Sequence, residues 1–221
     1  MDDNFINNTF VSNNKHGLSL TACLNSKVSK NKFVKDGFSL YGSKIDHFLH
    51  EITDNTVNGK PLCYIKNTSN YNVPSNTGQI IVVNCDNINI ENVKISNTST
   101  AVLIVFSRYV SISYCEFKSN IRGVFLYYSA YCRVKYNNFI NNTYHAGFIS
   151  QGFFNSKSNK WSRNYWSRIH GSKPRLFRFR PKKISGRFYF NRIFRNNKNF
   201  RIAWITKNYD WLPVRHPYDI V

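Results

Sequence analysis

Eleven acidic side chains are spread over 221 residues, and their spacing decides whether this chain could cleave a sugar polymer. Glycoside hydrolysis needs two carboxyl groups flanking the scissile bond, and a lyase needs carboxylates that hold calcium. Asp46, Glu51 and Asp54 form the one candidate cluster, with Asp36 upstream, while Asp86, Glu91 and Glu116 read as isolated outward positions. No catalytic residue is assigned from so thin a set. Five cysteines, Cys23, Cys63, Cys85, Cys115 and Cys132, are odd in number and contain no C-x-x-C pair. They read as buried thiols rather than as a disulfide framework or a zinc site. No Gly-rich phosphate loop, nucleophile elbow or metal motif is present, so neither a metal nor another cofactor is expected.

Binding chemistry is better supplied. The formal charge is +20, and residues 155–209 contain no Asp or Glu at all. Arg168, Lys173, Arg175, Arg178, Arg180, Lys182, Lys183 and Arg187 are the candidate polyanion contacts in that stretch. Such a field attracts nucleic acid, acidic glycan or anionic headgroups without choosing among them. Phe125, Tyr127, Tyr131 and Tyr144 are candidate ligand contacts, since aromatic rings stack on sugar faces. The expected partner is a polysaccharide or another polyanion, with nucleic acid the weaker alternative.

These groups are positioned by a 22-residue period. Ile95, Phe117, Phe139 and Trp161 fall in one column; Ile80, Val102, Val124 and Ala146 in a second; Val82, Ile104, Leu126 and Phe148 in a third. Two more columns run Ile88, Val110, Cys132 and Ile90, Ile112, Val134. A unit this short cannot bury its own apolar face and must stack on its neighbours. Within each unit, short alternating stretches rich in Val, Ile, Phe and Tyr signal strands. The expected fold is all-β: a right-handed parallel β-helix, a single-stranded solenoid of about 22 residues per coil. Coils are expected over 1–161 and a basic, aromatic-rich β cap over 162–221. Leu18, Leu20, Val28, Asn31 and Phe33 repeat the spacing of Val102, Ile104, Ile112, Cys115 and Phe117, so the pattern extends upstream. Asn31, Asn55, Asn137 and Asn159 precede the large apolar column by two residues and predict a structural asparagine ladder.

One flank of the coil is apolar on both faces. Between the inward residues of the first strand lie Ile81, Leu103 and Phe125, then Val83, Val105, Tyr127 and Ile149. Parallel strands of this kind are normally covered on both sides. The C-terminal segment is the expected cover, with a partner, a second copy or a ligand groove as the alternatives. The longest apolar runs are too short to span a bilayer, and the acidic opening Met1-Asp2-Asp3 is no secretory signal. Asn8-Thr9-Phe10 already reads as the tail of a coil, which suggests a fragment of a longer frame.

Several stretches carry a family resemblance: Asn55-Thr56-Val57-Asn58-Gly59-Lys60-Pro61-Leu62, Gly78-Gln79-Ile80-Ile81-Val82-Val83, Asn164-Tyr165-Trp166-Ser167 and Asp210-Trp211-Leu212-Pro213 with Pro217-Tyr218-Asp219-Ile220. They resemble the NosD-like right-handed parallel β-helix proteins, which have the pectate-lyase type of fold and abound in archaea and bacteria; an archaeal source is expected. The resemblance implies a carbohydrate-binding or sugar-hydrolase type of domain, exported to the periplasm or cell surface, and for the namesake a role in copper delivery. Copper needs soft or imidazole ligands gathered in space. Met1 is the only methionine, and His16, His47, His50, His145, His170 and His216 are scattered. The expected function is therefore a non-catalytic carbohydrate-binding or envelope scaffold protein. A carbohydrate-active enzyme whose catalytic coils are missing and a copper-delivery accessory protein are the alternatives.

Overall fold

A computed structural model describes residues 3–13, 15–151, 158–167, 182–193, 199–210 and 212–220. It is a right-handed parallel β-helix of about seven turns. The main stack begins at Lys60. Its first sheet is built from Lys60–Lys66, Gln79–Val83, Thr100–Val105, Arg122–Tyr127 and Tyr144–Gln151, all parallel and in register. Ile80, Val102, Val124 and Ala146 pair in one row, and Val82, Ile104, Leu126 and Phe148 in another, as the period predicts. The second flank holds Ser69–Asn72, Asp86–Glu91, Ser111–Ser113, Arg133–Lys135 and Lys160–Ser162. The third holds Lys94–Ser96, Glu116–Lys118, Asn138–Ile140 and Tyr165–Trp166.

Left-handed residues make the corners. Asn84, Phe106 and Tyr128 recur at one corner, Asn87, Tyr109 and Tyr131 at the next, Asn92, Tyr114 and Tyr136 at a third, and Asn97, Ser119 and Asn141 at a fourth. A non-glycine residue in this region costs roughly 1–2 kcal/mol. Most are held by their own amides, as where Phe106 N donates to Tyr127 O at 2.9 Å in the following coil. The ladder residue follows the corner residue. Asn137 Oδ1 accepts from Cys115 N at 2.9 Å, and Asn137 N donates to Asn164 Oδ1 at 3.0 Å. Asp210 ends this row, its Oδ2 accepting from Asn164 N, Asn164 Nδ2 and Trp166 Nε1. A terminal member has no further coil to donate to, so an acceptor-only carboxylate suits it.

The last coil departs from the predicted register. Trp161 pairs with Val134, and Trp166 takes the place beside Phe139, stacked on it at 4.2 Å between centroids. Likewise Asn164, not Asn159, continues the row of Asn137, while Asn159 Oδ1 accepts from Cys132 N. This spacing is 27 residues rather than 22, with the extra residues between Gln151 and Ser158. Asn159-Lys160-Trp161-Ser162 and Asn164-Tyr165-Trp166-Ser167 repeat one motif five residues apart, so the sequence alone permits either phase.

Residues before Lys60 form a second, shorter stack. Asn4–Ile6, Lys27–Ser29 and Glu51–Thr53 make one parallel sheet; Thr9–Val11, Lys32–Val34 and Thr56–Val57 continue another; Leu18–Thr21 pairs with Phe38–Tyr41. Asn8, Asn31 and Asn55 are its ladder. At Asn58-Gly59 the chain reverses: Val57 pairs antiparallel with Lys60, and φ is +51° at Asn58 and +79° at Gly59. This is the two-residue hairpin turn that Asn-Gly favours. The reversal lays the short stack against the doubly apolar sheet, with Ile81, Val83 and Val105 fully buried. The cover expected from the C-terminal segment comes instead from the N-terminal one. Gly37 permits the contact, since a Cβ there would sit 2.1 Å from Thr98 Oγ1. The described C-terminal strands, Lys182–Ile193 and Asn199–Asp210, form a hairpin that pairs with Tyr144–Gln151 and, at Asp210, with Trp161. No helix among the described residues is long and apolar enough to cross a membrane.

Candidate functional site

The outward face of the second flank gathers four cations among the described residues. Strand alternation turns Ile112, Val134 and Trp161 inward and fully or nearly fully buries them. Ser111, Arg133, Lys135, Lys160 and Ser162 alternate with them and face outward. Arg163 adds a further exposed cation, its Nη1 donating to Tyr136 Oη at 2.8 Å. None of Arg133, Lys135, Lys160 and Arg163 is in an ion pair with a described residue. The two pairs formed among the described residues are Lys27–Glu51 at 2.6 Å and Arg108–Asp86 at 3.4 Å. Unpaired cations of one sign raise the local concentration of an anionic chain.

Two tyrosine columns border this face because the left-handed corners repeat. Tyr109 stacks on Tyr131 with centroids 5.2 Å apart and planes 16° from parallel; Tyr114 stacks on Tyr136 at 5.2 Å and 8°. Lys135 Nζ lies 5.6 Å from the Tyr136 centroid and Arg163 Cζ 5.7 Å. In each pair the facing sides of the two rings are covered, and Tyr136 also meets the two cations, while Tyr109 remains about half exposed. Tyr131 is half exposed, and Tyr144 is exposed at the start of its strand. Phe125 and Tyr127 are half-buried in the seam between the stacks, where Tyr127 Oη donates to Gly42 O and its ring meets Phe48 at 5.3 Å. The four aromatic candidates thus do not converge on one surface. Lys182 is half-buried and Lys183 and Arg187 are exposed on the C-terminal hairpin; Arg168, Lys173, Arg175, Arg178 and Arg180 lie outside the described residues.

The seam carries a polar chain with one direction. Arg122 Nη1 donates to Tyr41 Oη at 3.0 Å, and Tyr41 meets His16 Nε2 at 3.0 Å. His16 Nδ1 meets Ser39 Oγ at 2.9 Å, Ser39 Oγ donates to Ser99 Oγ at 3.2 Å, and Ser99 Oγ donates to Phe38 O at 3.3 Å. Gln79 bridges the stacks, accepting from Phe38 N and donating to Phe38 O and Thr100 O. These seam residues were not singled out by their types, because a Ser or Gln inside an apolar run reads as outward. The Asn58-Gly59 turn was the available signal that the chain doubles back.

The imidazoles and thiols are engaged elsewhere. His50 Nδ1 accepts from Ser26 N and Nε2 donates to His47 O; His145 Nδ1 accepts from Asn142 Nδ2 and Nε2 donates to Ser167 O. Burial lowers the pKa of all three interior histidines, His16, His50 and His145, and takes His145 down to about 4. Burial likewise pushes the Cys63 thiol up to about 11 and those of Cys115 and Cys132 up to about 12. Among the described residues no three His, Cys, Asp or Glu side chains gather as a metal site would require. Asp46 lies on a short 3-10 helix, Glu51 on a strand paired to Lys27, and Asp54 on a left-handed corner.

A family model described as periplasmic copper-binding protein (NosD) matches residues 50–171, more than half of the chain. No curated protein and no solved structure matches it.

Proposed function

The chain belongs to the NosD family, and from that premise we propose that it is a non-catalytic β-helix binding element of the cell envelope whose ligand is an acidic polysaccharide. The observation that carries this reading is the run of unpaired cations, Arg133, Lys135, Lys160 and Arg163, between columns of stacked tyrosines. Carboxylates along a uronate chain complement the cations, and its hydroxyls complement the phenol oxygens and Ser111 and Ser162. Single-stranded nucleic acid binds by laying bases on open aromatic faces. Here one face of each stacked tyrosine is taken up by its partner ring, which leaves fewer faces for bases and favours the glycan.

Copper fits the described residues poorly. A copper ligand must offer a free lone pair on imidazole, thioether or thiolate. His50 and His145 use both ring nitrogens in hydrogen bonds, and Cys63, Cys115 and Cys132 are held as neutral thiols at neutral pH.

Affinity electrophoresis against polyuronates and neutral polysaccharides tests the proposal. Retardation by polyuronate that weakens as salt rises, and that is lost in Arg133→Glu/Lys160→Glu, is the expected result. Absence of any polysaccharide binding at low salt would sink it, as would release of reducing or unsaturated sugars by the purified protein.

A further inference from the structure

The seam between the stacks encloses a cavity of about 140 Å³, walled mainly by Phe38, Leu40, Phe48, Leu103, Phe125 and Ile149. Arg122 and Tyr41 enter this lining, to which Ser39, Thr100 and Tyr127 also contribute. The guanidinium carbon of Arg122 lies 5.4 Å from the Phe125 centroid, and Nη1 donates to Tyr41. No carboxylate among the described residues pairs with it. A half-buried guanidinium beside an apolar hollow leaves a charge without its counter-charge.

We propose that this cavity is a binding site for a small aryl carboxylate, with the ring among the apolar walls and the carboxylate on Arg122. Three features set the class. An apolar cavity of about 150 Å³ lined by Leu, Ile and Phe accepts a benzene ring, so a volume of about 140 Å³ suits a single ring. Arg122 keeps N–H donors beyond the one given to Tyr41, and a guanidinium fork matches a carboxylate with two parallel hydrogen bonds. Tyr41 adds no spare donor, because its hydroxyl faces His16, and the wall offers no second cation. One negative charge is therefore matched and a phosphate dianion is not. The site lies on the opposite side of the first sheet from the main core and stands independently of the polysaccharide face. Its occupant would bridge the short stack to the main one.

Fluorine NMR of the intact chain with 4-fluorophenylacetate is the test. Saturable binding with Kd of about 1 mM or tighter is expected. Acetate, which lacks the ring, and 4-fluorobenzyl alcohol, which lacks the charge, should each bind at least about tenfold more weakly. Arg122→Gln should erase the preference for acid over alcohol, and Arg122→Lys should restore part of it. In the unmutated protein the ring should shift the methyl signals of Leu103 and Ile149, so the result does not depend on how a variant folds. Failure to saturate by about 10 mM would overturn the proposal. So would equal binding of acetate, shifts confined to other methyl groups, or an unchanged preference in a folded Arg122→Gln variant.

Discussion

The two stacks share a coil design but not a core. The main stack closes on itself: its cluster of buried side chains runs from Ile65 through Ile112 and Phe139 to Trp161 and Ile184, with nothing drawn from the first 60 residues. The short stack does not. Its cluster joins Leu18, Leu20, Phe33, Phe38, Leu40 and Phe48 to Ile81, Val83, Leu103 and Val105, which are the outward residues of the other stack. One region is complete without its neighbour, whereas the other borrows part of its interior. The dependence predicted from this asymmetry runs one way: the main stack holds when the short stack opens, and the short stack does not hold when the main stack is lost.

The largest expected effect breaks the main stack. Ile112→Asp removes a fully buried side chain worth about 1.5–3 kcal/mol and adds an unpaired charge among stacked coils, whose burial costs several kcal/mol more. Hydrogen exchange should lose protection over both stacks together. Phe48→Ala comes next, at about 3–5 kcal/mol, because the ring packs against Phe106 and Tyr127 across the seam. Here the exchange of residues 3–57 should rise while the amides of Ile104 and Ile112 stay protected. Equal loss in both stacks would erase the distinction.

A matched pair sharpens it. Asn137→Ala strands Cys115 N and Ile112 O in the main ladder, and Asn31→Ala strands Asn8 N and Phe5 O in the short one. The groups stranded around Asn137 are buried and cost about 1–3 kcal/mol each, while Asn8 N and Phe5 O are only part-buried and cost less. Chemical denaturation should register the first as a lower global midpoint and the second as an earlier, partial transition confined to the short stack.

The smallest effect is graded with pH. His16, His50 and His145 have folded pKa values depressed by burial, so the unfolded chain binds protons more readily than the native one. Their contribution is present above the unfolded value near 6.5 and is lost as pH falls below it. For His145 the loss continues toward its folded value of about 4, and between pH 7 and pH 5 it amounts to roughly 1–2 kcal/mol. The melting temperature should fall over that range, and replacing His145 by Leu should flatten the decline. A melting temperature that is constant from pH 7 to pH 5 would contradict it.

The main stack was legible because one phase of 22 residues runs through many columns at once, and a wrong phase would put charges such as Arg133 into the core. It failed at Trp161, where two copies of Asn-x-Trp-Ser lie five residues apart and either satisfies the apolar and ladder positions. The doubly apolar face was legible as a demand for cover. Its source was not, since nothing in Ile81 or Leu103 says which segment lies over them. Beside the apolar packing, the contacts that set which segment covers the sheet include polar and close backbone ones: Gln79 to Phe38, Ser39 to Ser99, Gly37 against Thr98. Such residues carry no periodic signal. The candidate site was legible only in part: Lys160 and Arg163 fall in the acid-free stretch, whereas Arg133 and Lys135 read as ordinary outward residues of a solvated strand, and the tyrosine columns emerged only with the left-handed corners that aim them.

The most direct test of the folded-back arrangement is a cross-link across the seam. Ser39 Oγ and Ser99 Oγ stand 3.2 Å apart although 60 residues separate them in the chain. In the double variant Ser39→Cys/Ser99→Cys, air oxidation should form an intramolecular disulfide between the two introduced thiols. It would be seen as faster migration without reductant, and mass spectrometry would find the peptides that carry positions 39 and 99 joined. Thiols that stay reduced, or that oxidise only between molecules, in a variant with a native-like melting profile would contradict the account.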